Sequence, residues 1–425
     1  MAATTIQSIR ARQVIDCKCR PMVEVDVITQ GGALGRGCAP TGTSVGRHEA
    51  FVLRDGDPFE YRGLGVHKAV ANVHEVLGPA LVGLDVADQA RLDGTMNRLD
   101  GTPDKRRLGG NAIYATSVAC LQAAAAACGQ PLYRYLAGEP IRTLPVPSFN
   151  VVNGGKYPGF TQAFNEFLVM PYRAKDIFEA VAMGILVFQE LGPVIAGHTG
   201  KEPGVARSYG YEAPSSDPAV VLTMLQEAVD RCGFRDRVAF ALDCASSEMY
   251  DPDTRTYLLG RERVSADALI DYVRGLSERF NLVFVEDLLD EDDWEHFPRA
   301  VERIPRTLIL GDDLIVSNRE RLERACRLKA VAGFVLKPNQ VGTVTEALET
   351  YRFAREHGLV AVPSGRSGGA VNDVVMDFSV GLQVPFQKNG APRSGERIEK
   401  LNFLMRACDL SPGSRLADLS SLVRF

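Results

Sequence analysis

Phe334-Val335-Leu336-Lys337-Pro338-Asn339-Gln340 ends a short apolar run on a lysine, and three acidic residues upstream stand in the same setting. Asp243 ends Val238-Ala239-Phe240-Ala241-Leu242, Glu286 ends Leu282-Val283-Phe284-Val285, and Asp312 follows Leu308-Ile309-Leu310-Gly311. From Asp243 to Glu286 is 43 residues, from there to Asp312 26, and on to Lys337 25. One strand, loop and helix take about 25 residues, so the spacing predicts successive parallel strands with each charged residue at the same strand end. This gives an α/β chain whose core is a TIM-type (β/α)8 barrel, with Asp243, Glu286, Asp312 and Lys337 on the rim where barrel active sites are built. Three carboxylates and a lysine on one rim read as a divalent-metal site beside a base.

Outward from that core, the chain divides in two. Residues 141–425 are expected to form the barrel and 1–140 an α+β capping domain, with Leu144-Pro145-Val146-Pro147 at the boundary. In the first part, residues 6–28 alternate well enough for two short strands, and Gly31-Gly32 marks a turn. Ala39-Pro40-Thr41-Gly42-Thr43-Ser44-Val45-Gly46 follows, a loop of small and hydroxyl residues suited to a lid over an anionic ligand. Ala112 to Cys128 reads as a small-residue helix that must pack closely against a neighbour. In the second part, Ser265, Ser317-Asn318-Arg319-Glu320 and Thr343-Val344-Thr345-Glu346 carry helix-start signals.

Composition excludes other classes. A net charge of −5 offers no basic footprint for nucleic acid. No apolar run reaches the ~18 residues of a membrane span, and the N-terminus lacks the pattern of a signal peptide. The nine cysteines are an odd number and scattered, as expected of small core residues in a reducing cytoplasm. Cys17-Lys18-Cys19 lacks the second pair that a zinc site needs.

Several motifs, in order and at matching spacing, resemble those of the enolase family. They are Leu53-Arg54-Asp55-Gly56-Asp57, Val146 to Gly155, Ala241 to Glu248, Val285-Glu286-Asp287, Gly311-Asp312-Asp313-Leu314, Leu336 to Gly342, Ser364-Gly365-Arg366-Ser367-Gly368 and Lys400-Leu401-Asn402. The resemblance implies that Asp243, Glu286 and Asp312 bind Mg²⁺, with a second ion arriving with substrate and held partly by Ser44. It implies that Lys337 removes or returns the proton alpha to a carboxylate and that Lys388 steadies the enolate. Arg366 and Ser367 would hold a phosphate, and Glu166 would be one of two carboxylates facing the leaving group. It also implies a cytoplasmic homodimer acting on a small phosphorylated or phosphonylated carboxylate.

Three positions depart from the family pattern. The second catalytic glutamate reads here as Tyr209, in Arg207-Ser208-Tyr209-Gly210-Tyr211-Glu212-Ala213-Pro214. One histidine becomes Tyr157 and another becomes Gly365. All three fall where enolase expels hydroxide, while the metal and base side is kept. A tyrosine with an ordinary pKa of about 10 is a weaker proton donor than a tuned carboxylic acid. Glycine in place of histidine is expected to open space beside the phosphate. The expected function is therefore enolase-type carbon-acid chemistry with a changed leaving group, best matched by the carboxyphosphonoenolpyruvate synthases of phosphinothricin-type antibiotic pathways. Ordinary enolase activity on 2-phosphoglycerate and a non-catalytic binding role are the alternatives.

Overall fold

The computed structural model describes residues 3–42 and 45–425; Ser44, with its expected role over the ligand, lies outside them. The chain opens on an antiparallel meander of β1 (Ile6–Ile15), β2 (Pro21–Thr29) and β3 (Leu34–Cys38). Alternation along β2 turns Val23, Val25 and Val27 inward, and all three are buried. β3 was not foreseen, because Leu34-Gly35-Arg36-Gly37-Cys38 has the glycine content of a turn. Its glycines serve close packing instead. A methyl group at Gly35 would stand 2.0 Å from the Ala119 carbonyl oxygen, and one at Gly37 2.2 Å from that of Ala115. Both carbonyls belong to α1 (Gly110–Ala127), the small-residue helix, which lies directly on β3.

Eight further strands build the barrel: β4 (Val146–Tyr157), β5 (Phe160–Met170), β6 (Ala239–Asp243), β7 (Leu282–Glu286), β8 (Leu308–Gly311), β9 (Gly333–Leu336), β10 (Val360–Pro363) and β11 (Phe386–Gly390). Their order is β10-β9-β8-β7-β6-β5-β4-β11, and a parallel bridge between Ser364 and Lys388 joins β10 back to β11. The ring is not uniformly parallel, because β5 runs against both β4 and β6. The reason is local. Pro158 and Gly159, the latter at φ +88°, are the only residues between β4 and β5, whereas a parallel connection needs a dozen or more. From β6 to β10 every pair is parallel, as the spacing of the acidic residues predicts.

Inside the barrel, Leu168, Met170, Ala239, Ala241, Phe284, Leu310 and Phe386 form a buried apolar cluster. The Phe284 and Phe386 rings stack 5.5 Å apart. Ala417 and Leu419 of the C-terminal tail belong to the same cluster. Outside it, α2 (Ile177–Thr199) is long and apolar enough to cross a membrane by length and composition. Here it packs on the barrel, and Gly184 lets it do so, since a Cβ there would meet the Phe149 ring at 2.2 Å. Ser265 caps α3 (Ala266–Arg279) as expected, accepting from the Ala268 N–H. At α4 (Arg319–Leu328) the cap is Asn318, which accepts from Arg321, and not Ser317. Thr343 caps α5 (Val344–Glu356) by accepting from the Glu346 N–H.

Candidate active site

Three charged residues occupy equivalent register. Glu286 at the end of β7 pairs with Asp243 at the end of β6, and Asp243 pairs with Glu166 on the reversed strand β5. Asp312 and Lys337 follow β8 and β9 directly, and Lys388 lies on β11. The Lys388 ammonium donates to Glu286 and stands 3.1 Å from Glu166 Oε2 and 3.2 Å from Asp243 Oδ2. The Lys337 ammonium donates to Asp312 Oδ2, while Gln340 Nε2 donates to Asp312 Oδ1 at 2.9 Å. These groups face a cavity of about 630 Å³ that is also lined by Tyr157, Gly365, Arg366 and Ser367. Glu286 sits just behind the wall, fully buried.

Burial sets the electrostatics. Desolvation pushes the carboxyls of Asp243 and Glu286 above the usual range, against the pull of Lys388. Desolvation acts the same way on Asp312, but Lys337 beside it outweighs burial and holds that carboxyl below its ordinary value. Lys337 is held in its charged form. Desolvation does work to lower it, yet Asp312 and Glu286 overcome burial and hold the ammonium above the ordinary lysine value.

The donor set fits a divalent cation. Asp243, Glu286 and Asp312 are buried oxygen ligands of the hard type that Mg²⁺ prefers, and Glu286 Oε1 is buried without a hydrogen-bond partner. Carboxylate oxygens of Asp287, Asp312 and Asp313 also lie within 4.8 Å of one another. Asp287 is already engaged, because its two oxygens accept the backbone N–H groups of Asp312 and Asp313, both at 2.8 Å. It braces the loop that presents Asp312.

On the opposite side the expected acid is missing. Tyr209 is outside the cavity lining, and its hydroxyl donates to the Cys17 carbonyl at 2.6 Å. Its backbone sits at φ +70°, so the turn directs the side chain towards the N-terminal hairpin. Desolvation first, and Cys17 next, raise its pKa further, against the pull of Arg397. Tyr157 does line the cavity, but its hydroxyl donates to the Asn153 carbonyl at 2.6 Å. Glu212, three residues beyond Tyr209, lines the cavity in its place. Nor does Gly365 leave an open space. A Cβ built there would stand 2.5 Å from Lys400 Nζ, so the ammonium of Lys400 fills it.

Sequence reading also missed the supports. The Ser317 hydroxyl, free of capping, accepts the Lys337 N–H at 2.8 Å and contacts Gln340. Arg366 is gripped by Glu49 through bonds of 2.6 and 3.0 Å, both residues being buried. Asn150 Nδ2 orients Glu166 at 2.7 Å. A polar residue in an apolar run was the available signal for Asn150; the partners of Ser317 and Glu49 are 20 and 317 residues away.

A barrel whose rim sets a buried and a half-buried lysine among four carboxylates at a cavity is the framework of an enzyme. Comparison with known proteins gives the family. The model of the enolase N-terminal domain matches residues 6–136, and that of the enolase C-terminal TIM barrel domain matches 141–414. Enolase from Methanopyrus kandleri is 39% identical over 405 residues, covering 94% of this chain and 95% of that protein. Enolases from Methanococcus aeolicus and Methanococcus maripaludis are each 39% identical over 402 residues, covering 94% of both chains. The chain belongs to the enolase family.

Proposed function

We infer that the protein is a Mg²⁺-dependent enzyme that forms or uses the enolate of a 2-phosphoglycerate- or phosphoenolpyruvate-like carboxylate. One observation carries this reading: the Lys337 and Lys388 ammonium groups converge with Asp312, Asp243, Glu286 and Glu166 on a single rim. A proton alpha to a carboxylate is weakly acidic, so its removal needs a base and strong compensation of the charge that develops. Lys337 takes that proton, and Lys388 faces the developing enolate. Arg366 and Ser367 hold the phosphate by charge-assisted hydrogen bonds. Mg²⁺ held by Asp243, Glu286 and Asp312 would supply the remaining positive charge and offset the carboxylates that keep Lys337 protonated. Relatives named enolase support dehydration of 2-phosphoglycerate as the overall reaction.

A specific observation favours a second reading. Tyr209 points its hydroxyl at Cys17 instead of the cavity, so departure of hydroxide lacks the acid that the family pattern keeps at that position. A substrate with a better leaving group, or a phosphonate acceptor as in carboxyphosphonoenolpyruvate synthases, would then react where 2-phosphoglycerate does not. Direct assay of 2-phosphoglycerate dehydration under saturating Mg²⁺ separates the two. Turnover of about 1–10³ s⁻¹ establishes ordinary enolase activity and removes the second reading. Binding without turnover removes ordinary enolase activity.

A further inference from the structure

Residue 365 has no side chain, and a cation from elsewhere stands in the vacated place. Lys400 Nζ would be 2.5 Å, and Cε 3.5 Å, from a Cβ at Gly365. Lys400 comes from α6 (Gly395–Asp409), one turn after Arg397, so both side chains leave the same helix face. Both line the cavity, and both are at most 5% exposed. The Tyr209 ring supports Arg397 at 4.7 Å from its centroid. That contact, rather than proton donation, is the geometric role left to Tyr209.

Hydrogen bonding at this corner is incomplete, for the donor Arg397 Nη1 and for the acceptor Glu396 Oε1. The Lys400 ammonium carries three N–H groups and donates to Glu396 Oε2 at 3.3 Å. Arg397 Nη2 donates to the Ser367 carbonyl at 3.4 Å. Arg397 Nη1 is ion-paired with Glu396 Oε1 at 2.9 Å, although neither atom makes a directed hydrogen bond. One carboxylate, Glu396, thus serves both cations, with Asp373 Oδ2 at 3.8 Å from the Gly365 Cβ position as the other negative group nearby. Two buried cations on the cavity wall that share one bonded carboxylate, with a Lys400 ammonium that has N–H groups to spare, favour a ligand oxyanion.

We propose that Lys400 and Arg397, admitted by Gly365, form a second anion subsite that takes a phosphonate or carboxylate group carried by the substrate or by a co-substrate. It rests on the reading that Arg366 and Ser367 hold the first phosphate. A substrate with a single anionic head and a carboxylate on the metal would leave this subsite to water. A substrate with a further anionic group would fill it.

The test uses calorimetric titration of the full chain, with two probes: inorganic phosphate and phosphonoacetate, which carries two anionic heads. Gly365→Ala is the main variant, because its methyl displaces only the far end of a flexible lysine and leaves the Glu396 pair in reach. Lys400→Gln is the second, with circular dichroism confirming that each variant folds. Phosphonoacetate should bind about 10-fold more weakly to both variants, the loss of one charge-assisted hydrogen bond, while inorganic phosphate changes less than about 3-fold. Unchanged phosphonoacetate affinity in both variants overturns the subsite. Equal losses for the two probes also overturn it, by making the two anion positions one. Arg366→Gln reports separately on the underlying reading, since it should weaken inorganic phosphate binding by about 10-fold or more; unchanged phosphate affinity in that variant removes that reading instead.

Discussion

Lys337 shows that a residue's position is legible in the sequence while its protonation state is not. Its place at the end of an apolar run marks it as a rim residue, and the structure puts it there. Its protonation depends on neighbours that arrive from other strands, and these hold it charged. A base in that condition works only once Asp312 and Glu286 are compensated. With a carboxylate substrate analogue and Mg²⁺ in deuterated buffer, the hydrogen alpha to the carboxylate should therefore exchange with solvent. Omitting Mg²⁺ should suppress this, and Lys337→Ala should abolish it, a loss of at least the ~10²-fold typical of one acid–base group. Exchange that survives Lys337→Ala, followed by proton NMR, would place the base elsewhere. Tyr209 fails in the opposite way. The motif transfers its position, but the side-chain direction follows from a backbone at φ +70° that sequence spacing does not encode. Gly365 fails for a third reason, because the residue that fills its space, Lys400, is 35 positions away.

At the scale of elements, period and spacing carried the strands with apolar runs and lost those without them. The strands β6 to β9 were legible because each ends in a charge after four or five buried residues. The reversal of β5 was written in Pro158-Gly159, a connection too short for a crossover, yet the repeat of the later units masks it. No pattern announces how elements join across the molecule. One such join is between the short helix Leu132–Ala137 and the helix Val375–Gly381, where the Tyr133 N–H donates to Asp377 Oδ1 at 3.0 Å. Burial pushes the Asp377 carboxyl up to about 7 from 3.8, although the Tyr133 N–H acts to lower it. Between those values the folded chain keeps a proton that the unfolded chain has lost. The contribution to stability is complete below the unfolded pKa, falls as pH rises towards 7, and is gone above it. Asp377→Asn keeps an acceptor for Tyr133 but cannot ionise. Its thermal midpoint, relative to wild type, should rise from pH 5 to about pH 7 and level off towards pH 8. Parallel curves for the two proteins across that range would show that Asp377 does not titrate in this way.

The whole molecule is tied together at the cavity and not merely beside it. Glu49, which precedes the barrel by almost a hundred residues, accepts both bonds from Arg366 and also the Gly46 N–H at 2.9 Å. Arg47 reaches Glu291 at 2.6 Å and Asp290 at 2.8 Å. Asn339, beside the lysine, donates to the Pro40 carbonyl at 3.2 Å. The segment expected to cover the ligand is thus anchored to the barrel loops before and after residues 43–44. Arg366 is the central case, since it is buried, charged, and expected to meet a phosphate. Removing Glu49 takes away the carboxylate that Arg366 bonds directly, and breaking a buried pair in this way costs about 3–5 kcal/mol in other proteins. Glu49→Gln should therefore lower the denaturation midpoint in urea by an amount corresponding to about 3 kcal/mol, and added phosphate should recover part of the loss by supplying a new counter-charge. Arg366→Gln should be destabilising as well, but the double variant should lose clearly less than the sum of the two, because neither charge is then left alone. Strictly additive losses, with no recovery by phosphate in Glu49→Gln, would mean that the pair is not the joint between the N-terminal segment and the barrel.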